Sequence, residues 1–237
     1  MAEPGLRSIY SRESLPGFMT WHEPDEKILW VTYRCRGGKV LNSAIVHTTK
    51  PGQGDKDVWN SRISPAEVLA TVDKYHPSIK KLVGMANEDG INVHHLFTRP
   101  PLTSFVRGRT VVVGDAAHVM VPAHAAGASI AIESAVPLEV LFRGVDGSDT
   151  MTMRNRLDLF DKLRIPRCNL TMLASNADRG LLDQPGVKEE VRKFYSGPLP
   201  LPGALPYSRA WRQVLFHHDE YRAAEELLAQ AGSKAEE

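Results

Sequence analysis

One stretch limits the architecture of this chain more than any other. Residues 108–115 read Gly-Arg-Thr-Val-Val-Val-Gly-Asp, so three consecutive valines run into a glycine and an aspartate. A β-branched apolar run of this kind predicts a short buried strand over 109–113 that ends in a glycine turn. Behind the turn, Ala116-Ala117-His118, Pro122 and Gly127-Ala128-Ser129 lead into an alanine-rich helix over 127–142, closed by Gly144. Strand, turn and helix in one unit place the chain in the α/β class, α+β in part.

Upstream, the pattern is strand-rich. Residues 28–33 (ILWVTY) and 39–47 (KVLNSAIVH) are β-branched and aromatic runs on either side of Arg36-Gly37-Gly38, the signature of an antiparallel hairpin. A polar segment, 50–57, is expected to be flexible. Ser64-Pro65-Ala66-Glu67 then combines an N-cap serine, a proline at the first helical position and a glutamate three residues after the cap. This predicts a helix to about Tyr75, stopped by His76-Pro77. Residues 91–97 (INVHHLF) add a further strand before Arg99-Pro100-Pro101.

Downstream of Met151 the spacing of Leu157, Phe160, Leu163 and Leu170 is helical, and Pro166 is expected to kink or divide that segment. Residues 187–195 predict a short amphipathic helix, 197–206 (GPLPLPGALP) a semi-extended connector, and 219–231 a last helix. We divide the chain into residues 1–97 and 98–237.

Charge and composition exclude several function classes. Lys plus Arg number 29 and Asp plus Glu 28, a net charge of +1 that offers no electrostatic footprint for nucleic acid. Cys35 and Cys168 are too few for a disulfide framework or a four-cysteine zinc site. The first 14 residues lack the apolar stretch of a signal peptide, and no charge-free run reaches the ~18–20 residues of a membrane span. The expectation is a cytoplasmic protein.

The turn carries the chemistry. A glycine at a strand end lets the backbone approach a ligand closely, and the adjoining Asp115 carboxylate can accept hydrogen bonds from ribityl or ribose hydroxyls. The bland alternative for Asp115 is a helix-cap carboxylate. The N-terminus of the Gly127 helix presents unpaired N–H groups, suited to the electron-rich edge of a flavin. His118 reads as a packing histidine rather than an acid or base. Asp115, His118 and His124 are the nearest approach to a metal cluster, but no recognised ligand spacing supports a metal site. Arg99, Arg164 and Arg167 read as partners in ion pairs and at helix ends rather than as NAD(P)H-phosphate ligands.

Gly114-Asp115-Ala116-Ala117-His118, followed by Pro122, Gly127-Ala128 and Glu133, resembles the FAD-dependent aromatic hydroxylases of the para-hydroxybenzoate hydroxylase fold, in particular the salicylate-hydroxylase-like fungal monooxygenases. Trp30-Val31-Thr32-Tyr33 with Gly38 and Asn42 is similar to that family's substrate-domain hairpin. Arg99-Pro100-Pro101-Leu102 is similar to the segment before its flavin strand, and 163–167 with Ser175 and 211–219 to its closing helices. The resemblance implies part of a substrate-binding middle domain in 1–97 and the C-terminal part of an FAD-binding domain in 98–237. It implies flavin contacts at Gly114, Asp115, Gly127, Ala128 and Ser129, and Pro122 beside the substrate.

It also implies FAD and NAD(P)H as cofactor and reductant, and a small aromatic or polyketide-like substrate of secondary metabolism. The pattern departs from the family in Ala126, where glutamine is usual, and in Ser134, where aspartate is usual. The 18 glycines nowhere form the G-x-G-x-x-G unit that holds the ADP half of FAD. Two readings follow: a shortened monooxygenase, with a separate chain supplying the FAD-binding half, or a flavin-free small-molecule-binding or helper protein.

Overall fold

The computed structural model describes residues 18–23, 28–48, 60–87 and 90–233. The expected flexible segment at 50–57, the first 14 residues and the charged tail at 234–237 lie outside these. The chain divides into two compact units, Met1–His95 and Leu96–Glu237.

In the first unit the hairpin forms as expected. Strands β1 (Phe18–Glu23), β2 (Ile28–Cys35) and β3 (Val40–Val46) make an antiparallel sheet in that order, with Cys35 opposite Val40 across the turn. Arg36, Gly37 and Gly38 all have positive φ, which only glycine adopts without strain, so Gly-Gly is the residue pair the turn needs. Alternation along β2 buries Ile28, Trp30 and Thr32 on one face. Trp30 stacks edge-on with Tyr75 at 6.3 Å and packs with Val72, Ile79 and Val83.

The two helices behind that core differ from expectation in their limits. Helix α1 (Pro65–Thr71) has both arms of the capping box: Glu67 N donates to Ser64 Oγ at 3.3 Å, and Ser64 N donates to Glu67 Oε2 at 3.0 Å. It ends before Val72, whose β-branched side chain turns fully into the core. His76-Pro77 does not merely stop a helix; it starts α2 (Pro77–Gly84), with Ser78 N donating to His76 Nδ1 and Pro77 in the position where its missing N–H is harmless. Strand β5 (Asn92–His94) pairs with β4 (Asn60–Arg62), a partner that no local pattern announced.

The second unit is built around one long helix. Two tiny strands, β6 (Val106–Arg107) and β7 (Thr110–Val111), form a hairpin. One helical turn, α3 (Asp115–His118), then precedes α4 (Gly127–Glu133) and α5 (Ala135–Phe142). The expected single helix over 127–142 is divided at Ser134, because Pro137 has no N–H to return to the Glu133 carbonyl. Helix α6 (Thr150–Asn176) runs unbroken through Pro166. Almost every residue from Arg167 to Ser175 is buried, so tertiary packing outweighs the ~3 kcal/mol penalty of an interior proline. Helices α7 (Val187–Arg192), α8 (Arg209–Leu215) and α9 (Glu220–Ser233) close the unit. Its core joins Phe105, Ala117, Ile130, Leu141, Phe160, Leu170, Val191 and Trp211. No helix among the described residues is long and apolar enough to cross a membrane.

Candidate flavin-facing site

Gly114 adopts φ 61° and ψ −144°, a region closed to residues with a Cβ. A Cβ there would stand 3.7 Å from the Ala131 Cβ, so the requirement is one of backbone conformation rather than space. The turn is closed by Ala117 N and His118 N, both donating to Gly114 O at 2.9 Å. Arg99 covers the far end, its Nη2 donating to the carbonyls of Ala116, at 3.1 Å, and Ala117. Val121 N donates to Asn176 Oδ1 at 2.9 Å, which pins the connecting loop to α6. A 3-10 turn at Pro122–His124 and a left-handed Ala125 (φ 48°) then lead into α4.

Burial sorts this segment into two faces. Asp115, Ala116, Pro122, Ala125 and Ala128 are exposed, and Gly114, Gly127 and Ser129 are half-buried. Beneath them Ala117, His118, Ala123, His124, Ala126 and Ile130 are buried. The structure brings Gly114 against α4 through Ala131, and Gly127 against Met120. Pro122 sits on the connecting turn. The Asp115 carboxylate has no hydrogen-bond or ion-pair partner among the described residues. Gly127, Ala128 and Ser129 are the first residues of α4, so their N–H groups have no intrahelical acceptor. Small side chains, free N–H groups and an unpartnered carboxylate on one open face fit the ribityl and isoalloxazine half of a flavin.

The two histidines below belong to the bed. His118 is fully buried, with neither ring nitrogen bonded, and burial pushes its pKa below the usual imidazole range. His124 Nε2 donates to Gly180 O at 3.0 Å, and the ring lies 4.2 Å from that of Trp211. Burial lowers its pKa to about 4, against a smaller opposing effect of the Gly180 bond. Both are neutral at pH 7, and neither is placed to exchange protons with a ligand. Among the described residues no group of three His, Cys, Asp or Glu is placed to hold a metal ion. Burial pushes the Cys168 thiol up to about 12, which makes it inert.

Arg164 and Arg167, three residues apart on α6, form the ion pairs expected of them. Arg167 grips Glu133 in a bidentate pair, Nε to Oε2 at 3.0 Å and Nη2 to Oε1 at 2.8 Å, and also donates to the carbonyls of Val214 and Leu215. Arg164, with its side chain wholly buried, reaches Glu133 at 3.3 Å, the Ile130 carbonyl at 2.9 Å and Glu220 at 2.8 Å. Burial alone would raise the Glu220 pKa; the His218 hydrogen bond and the Arg164 charge more than offset it and hold the carboxylate ionised. Sequence reasoning missed Glu220, whose partner Arg164 is distant in the chain, and with it His218, which bonds Glu220 two residues on. The one local signal was a pair of arginines on the same helical face.

The strand before the turn corrects an expectation. Residues 109–113 do not form a buried strand: β7 has only two residues, and Val113 is 41% exposed. A run of valines is buried in a sheet only where neighbouring strands flank it. Here the sole pairing among the described residues is with β6. On the adjoining helix Ile132 is 72% exposed. A groove of about 510 Å³ between α6 and α9, lined by Thr152, Arg156, Lys162 and Leu227 among others, shares no residue with this site.

The FAD binding domain family matches residues 46–144, a span that contains the turn and α4. Hispidin-3-hydroxylase of Neonothopanus nambi is 27% identical over 157 residues, which cover 66% of this chain and 36% of that protein. The FAD-dependent monooxygenase cfoG of Aspergillus candidus is 24% identical over 199 residues, covering 82% of this chain and 42% of that protein. The chain is thus similar to FAD-dependent hydroxylases and monooxygenases over much of its length. It spans less than half the length of these curated relatives. A solved salicylate hydroxylase substrate complex superimposes with a TM-score of 0.66 at 23% identity, over 94% of this chain and 53% of that one, which shows a shared fold. The family's cofactor is FAD.

Proposed function

We propose that the chain is part of an FAD-dependent monooxygenase acting on an aromatic or polyketide-like small molecule of secondary metabolism, in the cytoplasm, with NAD(P)H as reductant. Residues 98–237 supply the C-terminal part of its FAD-binding domain and residues 1–97 part of its substrate-binding domain. The observation that carries this reading is the open face at 114–129: small residues, N–H groups without an intrahelical acceptor and a carboxylate without a partner among the described residues, over a bed of buried side chains.

When bound, the flavin supplies the oxygen-transfer chemistry, which no side chain of this protein provides. The chain's own contribution is to bind and orient. Asp115 accepts from ribityl hydroxyls, Gly114 lets the backbone come close, and the N–H groups of Gly127, Ala128 and Ser129 face electron-rich ring atoms. Pro122 borders the substrate. The ADP half of the cofactor has no counterpart here, since no G-x-G-x-x-G unit is encoded in these residues. A separate chain, or a further segment, carrying that unit would have to supply those contacts.

Asp115→Ala tests the assignment in a flavin-fluorescence titration. Loss of a hydrogen bond to a charged group should weaken flavin binding by roughly 1–3 kcal/mol. Unchanged affinity removes Asp115 from the site. A second reading, a flavin-free small-molecule-binding or helper protein, predicts no flavin binding in either the wild type or the variant.

A further inference from the structure

The proposed flavin-facing helix α4 has only seven residues and passes through Ser134, whose backbone stays helical (φ −66°, ψ −18°), into α5, so side-chain contacts add to the backbone in fixing its orientation. Those contacts come from far away in sequence. Arg164 binds both a carbonyl within α4, Ile130 O at 2.9 Å, and the carboxylate at its end, Glu133. The same guanidinium stands 2.8 Å from Glu220 Oε1, at the first turn of α9, and Glu220 Oε2 is in turn 2.7 Å from His218 Nε2. Exposure rises along this line: the side chains of Arg164, Glu220 and His218 are 0%, 4% and 30% exposed.

We propose that Glu220 is a positioning residue: held by His218, it fixes the Arg164 guanidinium so that α4 presents Gly127, Ala128 and Ser129 at one constant angle. A buried guanidinium must be satisfied from several directions at once. With Glu220 in place, Arg164 has one anionic partner on each side. Without it, the charge is drawn toward Glu133, already shared with Arg167, and the Ile130 carbonyl keeps only its donors from Ser134. The C-terminal helix thereby helps to set the geometry of that face through Arg164. What that face binds rests on the flavin reading, but the linkage itself is independent of any flavin.

Native-state hydrogen exchange on the full chain tests it without cofactor. Glu220→Gln keeps the shape and removes the charge, and His218→Gln removes only the outer support. In both, the amides of Ile130 and Ser134, which bond to the Ala126 and Ile130 carbonyls, should exchange about tenfold faster or more, while those of α7 keep their wild-type rates. The effect should be larger for Glu220→Gln. Ala224→Gly loosens the fully buried packing of α9 without touching the relay, and should not single out α4. If α4 amides accelerate no more than the rest of the unit, in step with global stability measured by urea, or if Ala224→Gly reproduces the pattern, the positioning role is wrong. Failure of flavin to bind would overturn the functional reading and leave this result standing.

Discussion

His124 provides a stability prediction whose size comes directly from its surroundings. The imidazole has an ordinary pKa of 6.5 in the unfolded chain and about 4 in the folded one, because burial beneath the Pro122 turn disfavours its charged form. Above pH 6.5 it is neutral in both states and contributes nothing to the pH dependence. As pH falls below 6.5 the unfolded chain takes up a proton that the folded chain refuses until about 4, so folding weakens throughout that window. At about 1.4 kcal/mol per unit of difference, the loss approaches 3 kcal/mol at pH 4 and is about 2 kcal/mol at pH 5.

His124→Gln is the matching perturbation. It keeps an N–H donor for the Gly180 carbonyl and carries no charge at any pH. At pH 7 the variant should be less stable by about 1 kcal/mol, from the lost ring contact with Trp211. By pH 5 the order should reverse, since only the wild type has lost stability at this position. Urea unfolding at pH 7, 6 and 5 measures the gap. Subtraction cancels the common effect of His118, which is lowered in the same direction, and of the other unit. Parallel curves, with a constant gap from pH 7 to pH 5, would refute the assignment of His124 as a buried neutral group.

Two glycines should respond for different reasons. Gly180→Ala would place a Cβ 2.8 Å from Pro206 Cγ and 2.9 Å from His124 Nε2 at a φ of 67°, so strain and overlap add; melting should show a larger loss than for Gly114→Ala, which meets strain alone at about 1–3 kcal/mol. Ser64→Ala removes one arm of the capping box on α1 and should lower stability by about 1 kcal/mol, with Ser64→Asp restoring most of it. Asp115→Ala should leave the melting temperature within the scatter of exposed surface substitutions, because its carboxylate is exposed and has no partner among the described residues.

Features set by neighbouring residues were legible in the sequence. The Gly37-Gly38 hairpin, the Ser64–Glu67 box and the Gly114 turn depend on local backbone chemistry, and all three form as expected. Features set by distant partners were not. The pairing of Asn60–Arg62 with Asn92–His94 joins segments about thirty residues apart, and Glu220 reaches Arg164 across more than fifty. The valines at 111–113 read as buried because such runs ordinarily lie between strands, whereas the described residues supply one short neighbour. His76-Pro77 read as a stop, although a proline that ends one helix is equally suited to begin the next.

The flavin content and flavin selectivity of the purified 237-residue chain test the central claim most directly. The open face at 114–129 can meet the ribityl and isoalloxazine groups but not the ADP half, so the chain should emerge without tightly bound flavin. In titration it should bind riboflavin and FAD weakly and with similar affinity, both weakened by Asp115→Ala. Stoichiometric, tightly held FAD on the isolated chain, or a strong preference for FAD over riboflavin, would contradict the account.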